Sequence, residues 1–580
     1  MIIYSEILLK KDMRLKLIAI LIIISFLISG NSLLGNQTLP AVNNSENYAY
    51  GQSNFSSLNH LSSKNNAYCL PTNWRGECKN IMAVGNATKG NYSLLLKVRD
   101  PARPGLQVLC AIPKGYEYDY HRPWTGFKMH FKVEHRFIGT TTIGDTPPNI
   151  TKPGMILSDA GLAFGDADTI SYLINPSPNA WDDFDWMRYA AQSADDIDDA
   201  VELLTNDVVD KMHAPSVAEN IFVVGADKGM VIEADAFNYR VRQINSIEVQ
   251  SNYPKDLWDV HTLYPLFIAP DFNSTFTGWV EEGERIGLGG LMGIRISNIG
   301  SQFITARLSP IGINRQIFIG EGKVLGNFWI ELMDIEDGKA KIFLCFKYLA
   351  WETKMKEFVR QRMGGITVKD MMNWSRIHSD DLGGLRGMCQ GGYEVATIYR
   401  IPTTYTNFLS TLWFAPDQCS SIFIPVHICD RDIYDPYESG EAHSIALQLL
   451  EKYGHGNLTK VFGGIEDDFI SETNSAEKEA IQLLKEGKKD EAIDLLTLSD
   501  INIQMKALLI EKTWLNISYL SQNISKFVAD EILDSMGDKE RMEETANHIS
   551  FLIKEMRINK YDSIILQNIC KNLHSLAFLM

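Results

Sequence analysis

The sequence predicts an α+β fold in which a mixed, strand-led domain is followed by a helical region. Short β-prone runs, separated by Gly and Asn turn residues, start at Lys79 and continue over 92–98. A helical pattern occupies residues 180–209, and from about Asn474 leucine, isoleucine, lysine and glutamate recur at helical spacing. These observations separate the mixed domain from the C-terminal helices.

Changes in composition divide the chain into four segments. We expect a signal peptide (1–30), a disordered propeptide or linker (31–77), a catalytic domain (78–472) and a helical region (473–580). Alternating residues predict a small β insertion within 310–350. We predict C-terminal helices near Ala476–Thr497, Asn502–Met536 and Lys539–Lys571.

Composition limits the function classes. The 580-residue chain is 45% hydrophobic, which permits a sizeable core. Its net charge of −17 argues against nucleic-acid binding, because that activity needs a basic surface.

The N-terminal segment predicts export. Arg14 and Lys16 precede an apolar run, Leu17–Ile28, of about a dozen residues, which is shorter than the ~20 that span a bilayer. We therefore expect a secreted or cell-envelope protein with no stable membrane span after signal removal. An uncleaved membrane anchor is the alternative.

The sequence shows no metal or cofactor pattern. Its eight cysteines are widely and irregularly spaced, without the close pairs of a zinc site. His427 and Cys429 lie two residues apart on a predicted strand, but two ligands do not make a metal site. We interpret His378, which follows a helix, as a capping or loop residue. The sequence therefore predicts no metal and no cofactor.

The sequence contains two groups of acidic residues. Asp182, Asp183 and Asp185 fall in the first turn of the predicted helix, where acids suit the helix dipole, and we interpret them as a solvated helix start. Three further acids, Asp159, Asp166 and Asp168, lie in a Gly-rich stretch. Calcium binding is the functional alternative for these three, although their spacing does not match an EF-hand.

Cys78 is the strongest candidate for chemistry. It follows a polar segment that can be discarded, and it immediately precedes the first predicted strand. An N-terminal cysteine carries its own base, because its α-amine has a pKa of about 7.7–8.0 and its thiol about 8.5. The predicted hairpin returns to Lys97, Arg99 and Asp100, which places charge beside the cysteine. Cys69 has no strand behind it and is a weaker candidate.

The run from Cys78 to Gly90, followed by Lys97-Val-Arg-Asp100, resembles the opening of the cysteine N-terminal-nucleophile hydrolases. These include secreted dipeptidases, penicillin acyltransferase-like peptidases, and bile-salt and penicillin V hydrolases. The resemblance continues at 180–190, 251–254 and 412–426 and covers about residues 78–470. It implies a four-layer αββα sandwich.

The resemblance also implies a set of site residues. Cys78 would be the nucleophile, Asp100 would contact the α-amine or the substrate, and Asn252 would donate to the oxyanion. Arg307 would correspond to the family's late active-site arginine. The chain departs from the family in two ways. Lys97 stands in place of an arginine, with Arg99 nearby as a second substrate-binding cation, and residues 161–168 contain no asparagine as a second oxyanion donor.

The sequence therefore predicts a secreted thiol-dependent hydrolase of amide or peptide bonds that acts on small substrates through an acyl-enzyme. Activity would require cleavage between Glu77 and Cys78, either by the protein's own thiol or by an external protease. Two alternatives stay open. One is an acyltransferase acting on small amides. The other is a non-catalytic envelope or surface protein that retains the fold.

Overall fold

A computed structural model of the chain describes residues 78–99, 105–122, 124–145, 153–169, 175–216, 218–257, 272–289, 292–390, 394–555 and 558–580. The predicted signal peptide and propeptide lie outside the described residues. So do two residues of the sequence analysis, Cys69 and Asp100.

The strands of the described residues are, in chain order, β1 Lys79–Ala83, β2 Tyr92–Arg99, β3 Gln107–Ile112, β4 Glu117–His121, β5 Lys128–Lys132, β6 Phe137–Thr142, β7 Met155–Ser158, β8 Leu162–Thr169, β9 Ala218–Val224, β10 Gly229–Ala234, β11 Tyr239–Ile244, β12 Ile247–Gln250, β13 Thr275–Val280, β14 Arg285–Ile286, β15 Gly293–Ile299, β16 Phe303–Ser309, β17 Asn314–Phe318, β18 Gly322–Leu325, β19 Phe328–Glu336, β20 Lys339–Phe346, β21 Val395–Pro402, β22 Thr411–Ala415 and β23 Ile424–His427.

The α-helices are α1 Asp183–Ser193, α2 Ile197–Glu202, α3 Lys347–Gln361, α4 Val368–Ser375, α5 Thr406–Leu409, α6 Glu441–Tyr453, α7 Thr459–Lys485, α8 Lys489–Ser518, α9 Gln522–Ser535, α10 Lys539–Glu555 and α11 Lys560–Leu579. A π-helical segment, Leu203–Lys211, continues directly from α2.

A six-stranded antiparallel sheet carries the predicted hairpin. Its order is β12-β1-β2-β21-β22-β23, so β1 is an interior strand. Pairing of β1 with β2 places Asn80 opposite Lys97, which confirms the hairpin predicted over residues 79–98. Cys78 therefore lies at the leading end of an interior strand.

A seven-stranded sheet of order β11-β10-β9-β8-β7-β6-β3 packs against the first sheet, through contacts of β8 with β1, β2 and β21. Alternate residues of β9 point to opposite faces. Phe222 and Val224 pack in the core shared with the six-stranded sheet, whereas Ile221 and Val223 pack in a second core with Trp186 of α1. Helix α4 contacts β2 and β21 of the six-stranded sheet. These sheets and helices confirm the predicted mixture of α and β structure.

Two four-stranded sheets, β13-β20-β19-β18 and β14-β15-β16-β17, share a separate apolar core. They occupy residues 275–346 and so begin earlier in the chain than the strands predicted over 310–350. The earlier strands were missed because alternation is less regular there, with a register shift in β15 between Ile296 and Asn298.

The predicted helix over residues 180–209 is interrupted after Ser193. Asp196 causes the break, because its Oδ1 accepts hydrogen bonds of 2.9 Å from the backbone N–H groups of Asp198 and Asp199. This N-cap starts a new helix rather than extending the first. The break leaves α1 as an eleven-residue helix whose first turn faces the seven-stranded sheet.

The C-terminal part of the chain is helical, as the helical spacing of its residues predicted. The observed helix ends differ from the predicted ones. Gly487, with φ of +79°, ends α7 in the middle of the helix predicted over 476–497. Glycine adopts this left-handed conformation without steric cost, and it commonly terminates helices. Among the described residues, no helix combines the length and apolarity needed to cross a bilayer.

A buried ionic cluster joins the six-stranded sheet to the C-terminal helices. His427 Nδ1 lies 2.8 Å from the Asp500 carboxylate, and Nε2 lies 3.2 Å from that of Glu477. Burial alone would lower the pKa of His427, but these two carboxylates raise it to about 10. Cys429, in contrast, lies close to the carbonyl oxygen of Phe408. His427 and Cys429 thus have different partners.

Candidate active site

Strand alternation places the first candidate residues on one face of the six-stranded sheet. Asn80 lies two residues after Cys78, and it donates a 3.0 Å hydrogen bond to the carbonyl of Asp166 in the seven-stranded sheet. Lys97, opposite Asn80, points the same way. Lys79 points to the other face, where its Nζ lies 3.2 Å from Glu394. The Cys78 face is thus turned towards the neighbouring sheet.

Lys97 is the charged residue with the largest effect on the Cys78 thiol. Its ammonium lies 2.7 Å from Asp166 Oδ1, with both side chains buried, and its charge acts on the Cys78 thiol. Burial raises the pKa of the Cys78 thiol to about 11, although Lys97 lowers it. The thiol is therefore protonated near neutral pH while the Cys78 nitrogen is still an amide.

Gly165 permits this arrangement. A Cβ at Gly165 would lie 2.9 Å from Asn80 Oδ1 and 3.6 Å from the Cβ of Lys97. The missing side chain lets the two sheets approach closely, so that Lys97 reaches Asp166, the next residue along β8.

Four carboxylates gather beside Lys97. Asp166 and Asp168 share one face of β8, Glu219 is directly opposite Asp168 on β9, and Asp183 comes from the first turn of α1. One oxygen of each lies within 4.8 Å of the others. Burial, and then the neighbouring carboxylates, raise the pKa of Asp183 and of Glu219 well above the usual range. Among the described residues, Lys97 and Arg99 act on this group, and two cations do not balance four carboxylates.

The structure corrects our interpretation of the acidic residues. Asp183 belongs to the carboxylate group, and Asp185 is buried with its carboxylate 3.1 Å from Arg188, so this helix start is not simply solvated. Asp182 acts as the N-cap of α1. Asp159 does not belong to the carboxylate group of Asp166 and Asp168, and its own carboxylate lies 2.8 Å from His135. The three-residue calcium arrangement does not form.

Asn252 lies beside the carboxylates. Its Nδ2 donates a 2.6 Å hydrogen bond to the carbonyl of Asp168, and its side chain is largely buried. Within the described part of the chain, the second N–H of this amide makes no hydrogen bond and can meet another acceptor. Asn80 is a second amide of this kind that was not predicted from the sequence, although its position two residues after Cys78 on a strand was the available signal.

Arg99 and Arg307 have different environments. Arg99 is buried, donates a 2.9 Å hydrogen bond to Gln107 and lies over the Phe184 ring, 4.9 Å from its centroid. Its charge lowers the pKa of Asp168, which burial and Asp166 raise. Arg307 lies on β16 of a separate sheet, where alternation buries Ala306 but leaves Arg307 exposed. The structure does not bring Arg307 to the buried group around Cys78.

Replacing Glu219 with glutamine is expected to stabilise the protein at neutral pH. Because the folded-state pKa of Glu219 is raised, the unfolded chain loses this proton first, and stability falls as pH rises above about 4.3. Glutamine removes this loss, and each unit by which the pKa of Glu219 is raised corresponds to about 1.4 kcal/mol of folding free energy. Urea unfolding between pH 4 and pH 8 measures the effect.

The gain from Glu219→Gln should be small at pH 4 and should grow as pH rises. Glu543→Gln, at an exposed position on α10, serves as the control and should change stability little at either pH. A Glu219→Gln protein that is less stable than wild type at pH 7 would show that the carboxylate is charged and compensated.

Comparisons with known proteins give distant structural matches only. The chain matches no protein-family model and no curated protein sequence. A mutant conjugated bile acid hydrolase from Clostridium perfringens aligns at 12% identity and a TM-score of 0.32, covering 60% of this chain and 92% of that one. A penicillin V acylase from Agrobacterium tumefaciens aligns at 9% identity and a TM-score of 0.23, covering 42% and 86%. Scores this low establish neither fold nor activity.

Proposed function

We propose that this protein is a secreted thiol-dependent hydrolase of amide bonds, with Cys78 as its nucleophile after cleavage of the Glu77–Cys78 bond. The observation that carries the proposal is the position of Cys78, which lies at the head of an interior strand, where the charge of buried Lys97 lowers the pKa of the thiol. The apolar run Leu17–Ile28 supports export.

The sheet contacts support the four-layer αββα arrangement that the sequence resemblance implies. Strand β8 contacts three strands of the six-stranded sheet, α1 packs on β7 and β8, and α4 packs on β2 and β21. We propose that these elements are the two sheets and the two helical layers of an N-terminal-nucleophile hydrolase.

The proposed reaction begins with proton transfer from the Cys78 thiol to its own α-amine. The thiolate attacks the substrate carbonyl carbon, and an N–H of Asn252 stabilises the oxyanion. The C–N bond then breaks as the ammonium returns its proton to the leaving amine, which leaves a thioester on Cys78. A water molecule attacks the thioester, the product acid leaves, and the thiol is restored.

Lys97 and the carboxylates have different electrostatic roles in this reaction. The Lys97 ammonium stabilises the thiolate, while Asp166, Asp168, Asp183 and Glu219 favour a positively charged group nearby. The cleaved α-amine of Cys78 supplies one such charge. A substrate with a free amino group supplies another, so the charge balance favours peptide-like amides with a free N-terminus over amides with a neutral acyl group.

The substrate preference tests the proposal directly. The mature secreted protein is assayed with alanyl anilide, N-acetyl-alanyl anilide and a hexanoyl anilide, and released aniline is measured. We expect the free-amine substrate to be cleaved fastest. Faster cleavage of the two neutral substrates would contradict the charge argument, and no cleavage of any substrate by protein with a free N-terminal Cys78 would contradict the amide-hydrolase proposal.

The same assay separates a hydrolase from an acyltransferase. Hydroxylamine added to the reaction competes with water for the thioester and traps the acyl group as a hydroxamate. We expect hydrolysis to proceed at full rate without any added amine. A reaction that requires an amine acceptor would favour the acyltransferase alternative.

A further inference from the structure

Four side chains far apart in sequence come together outside the Cys78 site. His378 Nε2 lies 3.1 Å from Cys419 Sγ, and Cys389 Sγ lies 2.9 Å from the same sulfur. His455 Nδ1 lies 4.0 Å from Cys389 Sγ. One nitrogen or sulfur atom from each of the four residues lies within 4.8 Å of the others. The group combines two thiols and two imidazoles.

These distances match the dimensions of a tetrahedral zinc site. Zn–S bonds of about 2.3 Å and Zn–N bonds of about 2.0–2.1 Å place neighbouring ligand atoms about 3.4–3.8 Å apart. The observed separations of 2.9, 3.1 and 4.0 Å lie on both sides of that range. A cation at the centre would require shifts of less than about 1 Å in the ligand atoms.

The backbone around the ligands is held in place. Cys389 N–H donates a 3.0 Å hydrogen bond to the carbonyl of Ile377, next to His378. Cys419 N–H donates a 3.0 Å hydrogen bond to the Asp417 carboxylate. Gly387 packs against His378 so closely that a Cβ there would lie 2.7 Å from the histidine Cα. These contacts hold His378, Cys389 and Cys419, three of the four ligands, in place.

We propose that His378, Cys389, Cys419 and His455 bind one zinc ion at a structural site. A Cys₂His₂ donor set is typical of structural zinc, because all four positions of the tetrahedron are protein ligands and none is left for a substrate. Two buried thiolates would also neutralise the charge of Zn²⁺. This proposed zinc site differs from the sequence-based prediction that the protein binds no metal.

A disulfide between Cys389 and Cys419 is the alternative arrangement for the two cysteines. Both are free thiols in the structure, and their sulfurs lie 2.9 Å apart, beyond the bond length of about 2.05 Å. A disulfide also gives no reason for two imidazole nitrogens to be directed at the same sulfurs. The convergence of all four groups favours the metal.

The zinc site would stabilise the segment that packs behind β1. Met388, next to the ligand Cys389, accepts a 3.3 Å hydrogen bond from Lys79 Nζ, and Lys79 also pairs with Glu394. Lys79 is the residue after Cys78 but points to the opposite face of the sheet. Zinc would therefore hold the loop that supports β1 without taking part at the Cys78 face.

The test is the zinc content of the purified full chain. Protein expressed with added zinc is dialysed against metal-free buffer. The amount of zinc per chain is then measured by inductively coupled plasma mass spectrometry. We expect one zinc per wild-type chain and loss of bound zinc in Cys419→Ser. Cobalt substitution should give the visible absorption and the sulfur-to-metal charge-transfer bands of a tetrahedral thiolate site.

His455→Gln keeps the test decisive if Cys419→Ser fails to fold. His455 is exposed, so its replacement leaves no buried cavity, and it should also lower bound zinc. Cys570→Ser and His548→Gln, which lie elsewhere, should both retain one zinc. Wild-type protein without zinc and with a Cys389–Cys419 disulfide in the non-reduced peptide map would overturn the proposal. Equal zinc in wild type and His455→Gln would also overturn it.

Discussion

Replacing Cys78 with alanine is expected to abolish amide hydrolysis and to leave the fold intact. The thiol is the protein's nucleophile in the proposed reaction, and alanine offers no atom that can carry the acyl group. Cys78→Ser should also fold but lose most of the activity, because a hydroxyl is a poorer nucleophile with a higher pKa than a thiol. Rates of aniline release from alanyl anilide measure both effects.

A control variant and a folding measurement show whether the loss of activity in Cys78→Ala is specific. Cys429→Ala removes a half-buried cysteine elsewhere in the fold, and it should keep wild-type activity. Circular dichroism and thermal unfolding of Cys78→Ala should resemble those of wild type. If Cys78→Ala retains hydrolysis under these conditions, another group performs the chemistry and the nucleophile assignment is wrong.

Replacing Lys97 with methionine is expected to reduce both activity and stability. Lys97 lowers the pKa of the Cys78 thiol, and each unit by which that pKa rises reduces the thiolate fraction about tenfold. The same change leaves Asp166 buried without its ion-pair partner. Removing one partner of a buried ion pair costs about 3–5 kcal/mol of folding free energy. Urea unfolding and pH–rate profiles measure the two effects separately.

Lys97→Arg separates charge from geometry. Arginine restores the positive charge that the sequence resemblance leads one to expect at this position, so we predict recovery of most of the lost stability. Lys89→Met, on the exposed turn of the hairpin, is the control for loss of a lysine and should have little effect. Unchanged activity and stability in Lys97→Met would show that the Lys97 contacts do not support the thiolate.

The part of the site that depends on local sequence pattern could be predicted from the sequence. A β-hairpin with period-two alternation fixes which residues share a face, so the proximity of Cys78, Asn80 and Lys97 follows once β1 and β2 are paired. Asn252 follows a strand of the same sheet, β12, and donates a hydrogen bond to the Asp168 carbonyl, while its role at the oxyanion stays a prediction.

Residues brought together by tertiary packing were not predictable in the same way. Asp183 has an ordinary helix-start pattern, and only the packing of α1 on β8 places it with Glu219. Arg307 matched a motif position, but the sheet that contains it presents that side chain to solvent.

The four proposed zinc ligands could not be predicted from the sequence for the same reason, and they are even further apart along the chain. They span residues 378–455 without any close pair, so spacing rules for zinc sites do not detect them. Their convergence depends on how loops meet behind the six-stranded sheet. Sequence spacing reports only those ligands that a single turn or hairpin brings together.

The N-terminus of the mature secreted protein tests the central claim most directly. Intact-mass measurement and N-terminal sequencing of active protein should identify Cys78 as the first residue, with a free α-amine. Before cleavage the Cys78 nitrogen is an amide and cannot accept the thiol proton, and burial holds the thiol pKa at about 11. Fully active protein that retains Glu77 and the residues before it would contradict the account.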